Sequence, residues 1–284
     1  MFAIPGVGEK YEPWESNLFA GEYKLIVEGY DWGPAASRVV LSFDGIASEA
    51  MAADYAVSVS RHTGVAEIAP DRASGDRPVI YAYVSDDEGN RLESGNHITI
   101  VLAIGPDMAL ASPIQYVRNE NGGRNIWIDY KLSITHKPSN TIWDKEAGRI
   151  MPIIDSFDLS GTFKDSNGIT MSYASFTPEM ANDKSPLVIW LHGGGEGGTD
   201  PSIPIIANRA ANYASDEIQS FFGGAYVLAP QCPGAWMHNG EGVTTHGRED
   251  DIYNKGLMEL IRNYVISHPK VDTNKIYIGG CSNG

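Results

Sequence analysis

Cysteine is scarce in this 284-residue chain: Cys232 and Cys281 are the only two, both in the second half. No disulfide framework can therefore hold the first half together. Basic residues are few beside acidic ones, 21 Lys and Arg against 36 Asp and Glu, for a formal net charge of −15. A field of that sign repels phosphate backbones and anionic headgroups, which argues against nucleic acid and membrane surfaces as partners and for a neutral small molecule. Long hydrophobic runs are missing too, since none approaches the roughly 20 residues needed to span a bilayer. The opening MFAIPGVGEK lacks the charged segment and apolar stretch of a secretion signal. Compartment stays open on this reading: secreted or periplasmic if a signal peptide was removed, cytoplasmic otherwise. No H-E-x-x-H pair and no Gly-Lys-Ser/Thr phosphate loop occurs, so neither metal nor nucleotide chemistry is expected.

What is present is an ordinary globular composition, 42% hydrophobic and 20% charged, at a length that favours two domains. From about Tyr23 to Thr135 short apolar-alternating runs (YKLIVEGY, RVVLSF, YAVSVS, VAEIAP, VIYAYVS, HITIVLAI, IWIDYKLSIT) are separated by glycine-containing turns such as Asp44-Gly45 and Gly122-Gly123. Such spacing predicts an all-β, immunoglobulin-like sandwich, its core held by aliphatic and aromatic burial with Trp127 as an anchor. Around KPSNTIWDKEAGRIMPIID the strand rhythm lapses, as in a linker. The expected domains are 1–150, sandwich plus linker, and 151–284.

The second part changes texture. TFKDSNG and TMSYASF read as a hairpin. PLVIWLH, without polar alternation, reads as a strand buried on both faces. A helical stretch over IPIIANRAANYASDEIQSFF, a strand AYVLAP, a long helix and a strand KIYIGG follow. Alternating strand and helix predicts an α/β domain with a mostly parallel sheet. The long helix shows Tyr253, Leu257, Leu260, Ile261, Tyr264 and Val265 at three- and four-residue steps, with Asp250 and Asp251 at its positive end and Pro269 beyond its stop.

The last strand runs into Gly280-Cys281-Ser282-Asn283-Gly284, the G-x-S-x-G pattern in which a strained strand-to-helix turn pushes a serine hydroxyl outward between small residues. Just past the first buried strand stands His192-Gly193-Gly194-Gly195-Glu196-Gly197-Gly198. A glycine loop there lets backbone amides approach a substrate oxygen, and the amides of Gly194 and Asn283 are the candidate oxyanion donors. His192, Gly193, Gly195 and Trp236 are candidate cleft contacts, together with Met237. Gly193, Gly195 and Gly198 also satisfy G-x-G-x-x-G. The dinucleotide reading, however, needs a helix opening at once and an acidic residue ending the next strand, whereas TDPSIP follows and that strand ends in Ala229-Pro230. His238 and His246, among carboxylates on the loop before the long helix, read as a solvated loop rather than a metal site. Cys281 and Cys232 read as packing.

The motifs LVIWLHGGGEGG, VLAPQCP and IYIGGCSNG, in this order and spacing, resemble the α/β-hydrolase esterases with an N-terminal immunoglobulin-like domain, relatives of prolyl-oligopeptidase-type hydrolases. The resemblance implies Ser282 as acylated nucleophile, an oxyanion donor from the loop after His192, carboxylic esters of short acyl chains as substrates, and no cofactor. It leaves a role in assembly, with homo-oligomers formed through the sandwich, or in cleft shaping for the first domain. Relatives often carry arginine after the loop glutamate, where Gly197 stands. In that fold acid and histidine follow the serine, yet all seven histidines precede Ser282. The expectation is therefore the front part of a longer polypeptide. A serine peptidase or a feruloyl- or acetyl-type carbohydrate esterase is the alternative within hydrolases. A non-catalytic binding or assembly protein is the alternative from another class.

Overall fold

In the computed structural model, residues 21–119, 122–179, 183–241, 245 and 251–284 are described. They form two compact units, one of residues 21–115 and 127–152, the other of 116–126 and 153–284. Residues 116–126 thus belong with the second unit, although the sequence places them deep inside the first.

The first unit is a two-sheet sandwich. Its strands are β1 (Glu22–Tyr30), β2 (Gly33–Ala47), β3 (Tyr55–His62), β4 (Ser74–Asp76), β5 (Val79–Ser85) and β6 (Gly95–Leu102), with one helical turn α1 (Pro70–Ala73) after β3. The hairpin strands β7 (Ile114–Asn119) and β8 (Gly122–Trp127) come next, then β9 (Asp129–His136), β10 (Thr141–Trp143) and β11 (Lys145–Ile150). One sheet runs β11-β1-β2-β6-β5 and the other β10-β9-β3-β4, while β7 and β8 pair only with each other. β3 alternates buried and exposed along its whole length, the two-residue period that puts one face on the core.

Several expectations are corrected here. VAEIAP is not a strand, because Pro70 opens α1 at its first position, where the ring's fixed φ suits a helix. IWIDYKLSIT is split between β8 and β9 at Ile128. The supposed linker holds β10 and β11, and β11 pairs parallel with β1 from Glu22↔Lys145 onward, so the sandwich closes with residues whose polarity hides their strand character.

Nor is the core purely apolar. Arg77, 2% exposed, donates through Nη2 to the carbonyls of Ala36 and Ala103, both at 2.9 Å, and through Nη1 to Leu110 O and the Tyr130 hydroxyl. Arg61 donates to the carbonyls of Ser112, Arg72 and Ile114 at 2.9, 2.7 and 2.9 Å. Burial lowers the pKa of both guanidiniums, but a group that ionises so strongly stays charged. Its fork of donors satisfies carbonyls that would otherwise be buried unpaired. Across the sheets, the Tyr23 hydroxyl accepts from the Leu132 amide at 2.9 Å. Trp127 is buried, with Arg149 over its ring, and Trp143 is buried with its indole N–H on Ser42 O.

The second unit is built on a sheet of β12 (Asp158–Lys164), β13 (Thr170–Phe176), β14 (Ser185–Leu191), β15 (Tyr226–Gln231) and β16 (Val271–Gly280), in the order β12-β13-β15-β14-β16. β14 pairs parallel with both neighbours, β15 and β16, whereas β13 pairs antiparallel with both β12 and β15. The sheet is thus mixed rather than mostly parallel, because its first two strands form the hairpin read from TFKDSNG and TMSYASF.

Helices α2 (Ser202–Ile206), α3 (Asp216–Phe222) and α4 (Asn254–Ser267) connect the strands. The first helical stretch is broken rather than continuous: Arg209 takes left-handed φ of 58°, and Ser215 leaves the helical region to cap α3, its hydroxyl accepting from Ile218 N. α4 is as expected, with Leu260, Ile261 and Tyr264 buried against Met171, Leu187 and Leu228. Each such side chain contributes roughly 1.5–3 kcal/mol on burial. The Asp251 carboxylate accepts the Tyr253 amide at its start; Asp250 and His246 lie outside the described residues. β16 ends the sheet order, with Tyr277 and Ile278 48% and 62% exposed. No helix among the described residues is long and apolar enough to cross a membrane.

Candidate active site

β14 and β16 are parallel neighbours in register up to Leu191↔Gly280. The glycine loop after β14 and the turn after β16 therefore leave the same edge of the sheet side by side. Open sheets with parallel strands bind ligands outside these carboxyl ends.

The turn is tight. Cys281 N donates to Leu191 O at 3.1 Å and Gly284 N to Cys281 O at 2.8 Å. Ser282 sits at φ of +52°, a left-handed conformation that costs a side-chain-bearing residue of order 1–3 kcal/mol and clusters at functional sites. The flanking glycines are required by backbone crowding. A Cβ on Gly280 would lie 2.6 Å from the Gly284 carbonyl carbon, and one on Gly284 would meet His192 O at 2.8 Å.

The loop lies against this turn. A methyl on Gly193 would stand 3.5 Å from Ser282 Cβ, and one on Gly194 would stand 4.0 Å from Asn283 Cβ. A 3-10 turn over Gly194–Glu196 closes through Glu196 N to Gly193 O. Among the described residues, neither the Gly194 amide nor the Asn283 amide donates to a backbone carbonyl. The Asn283 side chain accepts from Met237 N at 3.4 Å. The structure thus brings Ser282, Gly193, Gly194 and Asn283 together.

His192 and Trp236, expected as cleft contacts, are packed inside instead. His192 is 0% exposed and Trp236 6%, with their rings 5.0 Å apart. Both imidazole nitrogens are used: Nδ1 donates to Gly193 O at 2.6 Å, and Nε2 accepts from Cys232 N at 3.1 Å. Burial holds the ring pKa down at about 4, so the neutral tautomer with hydrogen on Nδ1 persists through the physiological range. His192 is a spacer between the ends of β14 and β15, not a base. Gly195 is half-buried. Met237 is 39% exposed and stays at the surface. The His238 ring accepts from Gly240 N at 3.0 Å on its loop.

Cys232 is fully buried, its thiol donating to Gly234 O and pushed up to about 12 by burial, which makes it inert. Cys281 is half-buried. No cluster of three or more His, Cys, Asp or Glu side chains suited to a metal stands among the described residues.

Three side chains that the sequence does not single out hold the loop. Glu196, 8% exposed, accepts the Asn125 side-chain amide on Oε1 at 3.3 Å, and its Oε2 lies against Gly193, 2.8 Å from where a Cβ on that residue would stand. Gln231, at the end of β15, donates through Nε2 to Glu196 O at 2.9 Å. Burial raises the Glu196 pKa, and the neighbouring Gly193 backbone and Asn125 amide oppose that rise. The departure at Gly197 has a steric cause: a Cβ there would fall on the Gly234 carbonyl, far inside van der Waals contact. No arginine fits at this position.

Residues 22–146 match the family model of the esterase Ig-like N-terminal domain. The chain, over 92% of its length, is similar to 71% of a thermostable esterase at 23% identity and a TM-score of 0.72, which shows a shared fold. Slighter likenesses at 14% identity and a TM-score of 0.31 extend to the acylaminoacyl peptidase of Pyrococcus horikoshii, over 58% of this chain and 26% of that one, and to a puromycin hydrolase variant, over 64% and 28%. Among curated proteins none matches.

Proposed function

We propose, from the premise that residues 22–146 are an esterase Ig-like domain, that the second unit is an α/β-hydrolase domain cleaving short-chain carboxylic esters through an acyl-enzyme on Ser282. The observation that carries this reading is the left-handed Ser282 at the end of β16, in contact with a glycine loop whose Gly194 amide is left unused by the fold.

In this reading Ser282 Oγ forms a bond to the ester carbonyl carbon and gives its proton to a general base. The carbonyl electron pair moves onto oxygen, where the amides of Gly194 and Asn283 receive the charge. Collapse breaks the bond to the alkoxy group, which leaves as the alcohol with that proton. Water then cleaves the acyl-enzyme by the same steps and frees the acid. The base is not His192, since both of its nitrogens are occupied. A hydroxyl needs such a base to attack, so the reading requires an acid and a histidine that the described residues do not bring to Ser282. No metal or organic cofactor enters any step.

The test is covalent labelling of the natural polypeptide containing these residues. A fluorophosphonate is expected to add once, on Ser282, and Ser282→Ala to abolish the adduct and lower turnover of a short-chain p-nitrophenyl ester by at least about 10³-fold. Turnover that survives Ser282→Ala would overturn the assignment.

A further inference from the structure

We propose that the β7–β8 hairpin is a positioning element of this site: Asn125 clamps Glu196 and thereby sets the loop that carries the Gly193 and Gly194 amides. The inference rests on the reading of that loop as the oxyanion-binding segment.

Residues 116–126 leave the sandwich in sequence but pack within the second unit. Two of them reach the loop. A methyl on Gly195 would stand 3.4 Å both from Asn125 Nδ2 and from Tyr116 Cε2, so amide and ring together cover the outer side of the 3-10 turn. The Tyr116 ring also lies across Gly123 on the facing strand, where no Cβ could be accommodated beneath it, and the Arg118 guanidinium stands 5.8 Å from the ring centre.

Glu196 is the buckle. Its Oε1 takes the hydrogen bond from Asn125, while its Oε2 lies against Gly193, 2.8 Å from where a Cβ there would stand. Its backbone carbonyl accepts from Gln231 Nε2 at 2.9 Å. A carboxylate accepts only, so it fixes which end of the Asn125 amide faces it. The Gly194 amide, which donates to no backbone carbonyl among the described residues, is the one beside Asn283. Loss of the clamp frees Glu196 to swing and lets the loop relax. Displacements of about 1 Å are known to cost up to about 10²-fold in rate.

A side-chain exchange tests this. Asn125→Asp sets two carboxylates face to face and is expected to slow Ser282 labelling and kcat about tenfold, with KM changed less than about twofold. Glu196→Gln alone is expected to stay within about threefold, because the Asn125 amide can rotate to accept. The double variant is expected to recover to within about threefold of the parent, the new glutamine amide donating to the new carboxylate. A loss shared by all three variants, or an Asn125→Asp protein that labels like the parent, would overturn the clamp.

Hydrogen exchange of the residue-196 amide, which closes the 3-10 turn on Gly193 O at 3.2 Å, separates this proposal from the hydrolase reading. It should accelerate in Asn125→Asp and recover in the double variant even if Ser282 never labels. Unchanged exchange sinks the clamp whatever the activity. If Asn125→Asp fails to fold, Asn125→Ala serves, with faster exchange expected and unchanged exchange fatal.

Discussion

Gly197→Ala is expected to destabilise the second unit by at least about 3 kcal/mol, measured by urea unfolding. Small-to-large changes usually cost about 1–3 kcal/mol because side chains shift to make room. At Gly197 the obstacle is the backbone carbonyl of Gly234, with its carbon 2.7 Å from the added methyl, and neither main chain has a rotamer to change. Gly198 N is in addition bonded to Cys232 O at 2.9 Å, so the two segments cannot separate without losing that bond. The control lies three residues away in the same loop. At Gly194 an added methyl meets only Asn283 Cβ at 4.0 Å, an ordinary contact, and Gly194→Ala should stay within about 0.5–1 kcal/mol. Equal stability of the two alanine variants would show that the 197–234 approach is looser than described.

His192 should make the fold acid-sensitive by roughly 3 kcal/mol. Its ring is neutral in the fold, with the pKa lowered from 6.5 to about 4 by burial, whereas in the unfolded chain it titrates near the ordinary value. A base with a depressed folded pKa contributes stability that is whole above about pH 6.5 and is lost as pH falls toward 4, where the unfolded chain alone takes up the proton. Other carboxyls add to the pH dependence: burial raises those of Glu196 and Asp200, which favours the fold as pH drops, while that of Asp86, which burial raises but hydrogen bonds lower on balance, does the reverse only around and below its ordinary 3.8. The measurement is therefore a difference. Unfolding free energies of the parent and of His192→Gln are followed from pH 7 to 4, and the parent should show the steeper decline. Parallel curves would mean that the ring is protonated inside the protein.

The sandwich and the central strands and long helix of the second unit are legible wherever side-chain period and burial agree. β3 announces itself by alternation, β14 by unbroken apolarity, and α4 by its three- and four-residue steps. Reading failed where tertiary contacts override local pattern. β11 is polar and becomes a strand because β1 offers it an edge, and Arg61 and Arg77 are interior because carbonyls from several distant segments converge on them. The turn motif and glycine loop were readable because their glycines answer to local crowding. Asn125, Gln231 and the buried state of His192 were not: the first is 71 residues from its partner, and no spacing rule links positions so distant. In sequence Gly197 is no more than a departure from the arginine common in relatives. The structure shows an occupied volume.

The course of residues 116–126 also bears on how such a protein can be taken apart. A cut near residue 152, which the order of strands invites, would leave Tyr116 and Asn125 on the discarded piece and strip the glycine loop of its outer support. Replacing the front module by that of a relative would likewise import a foreign hairpin against Glu196. Modularity here is incomplete: swaps between relatives should succeed only when that short excursion travels with the half it touches.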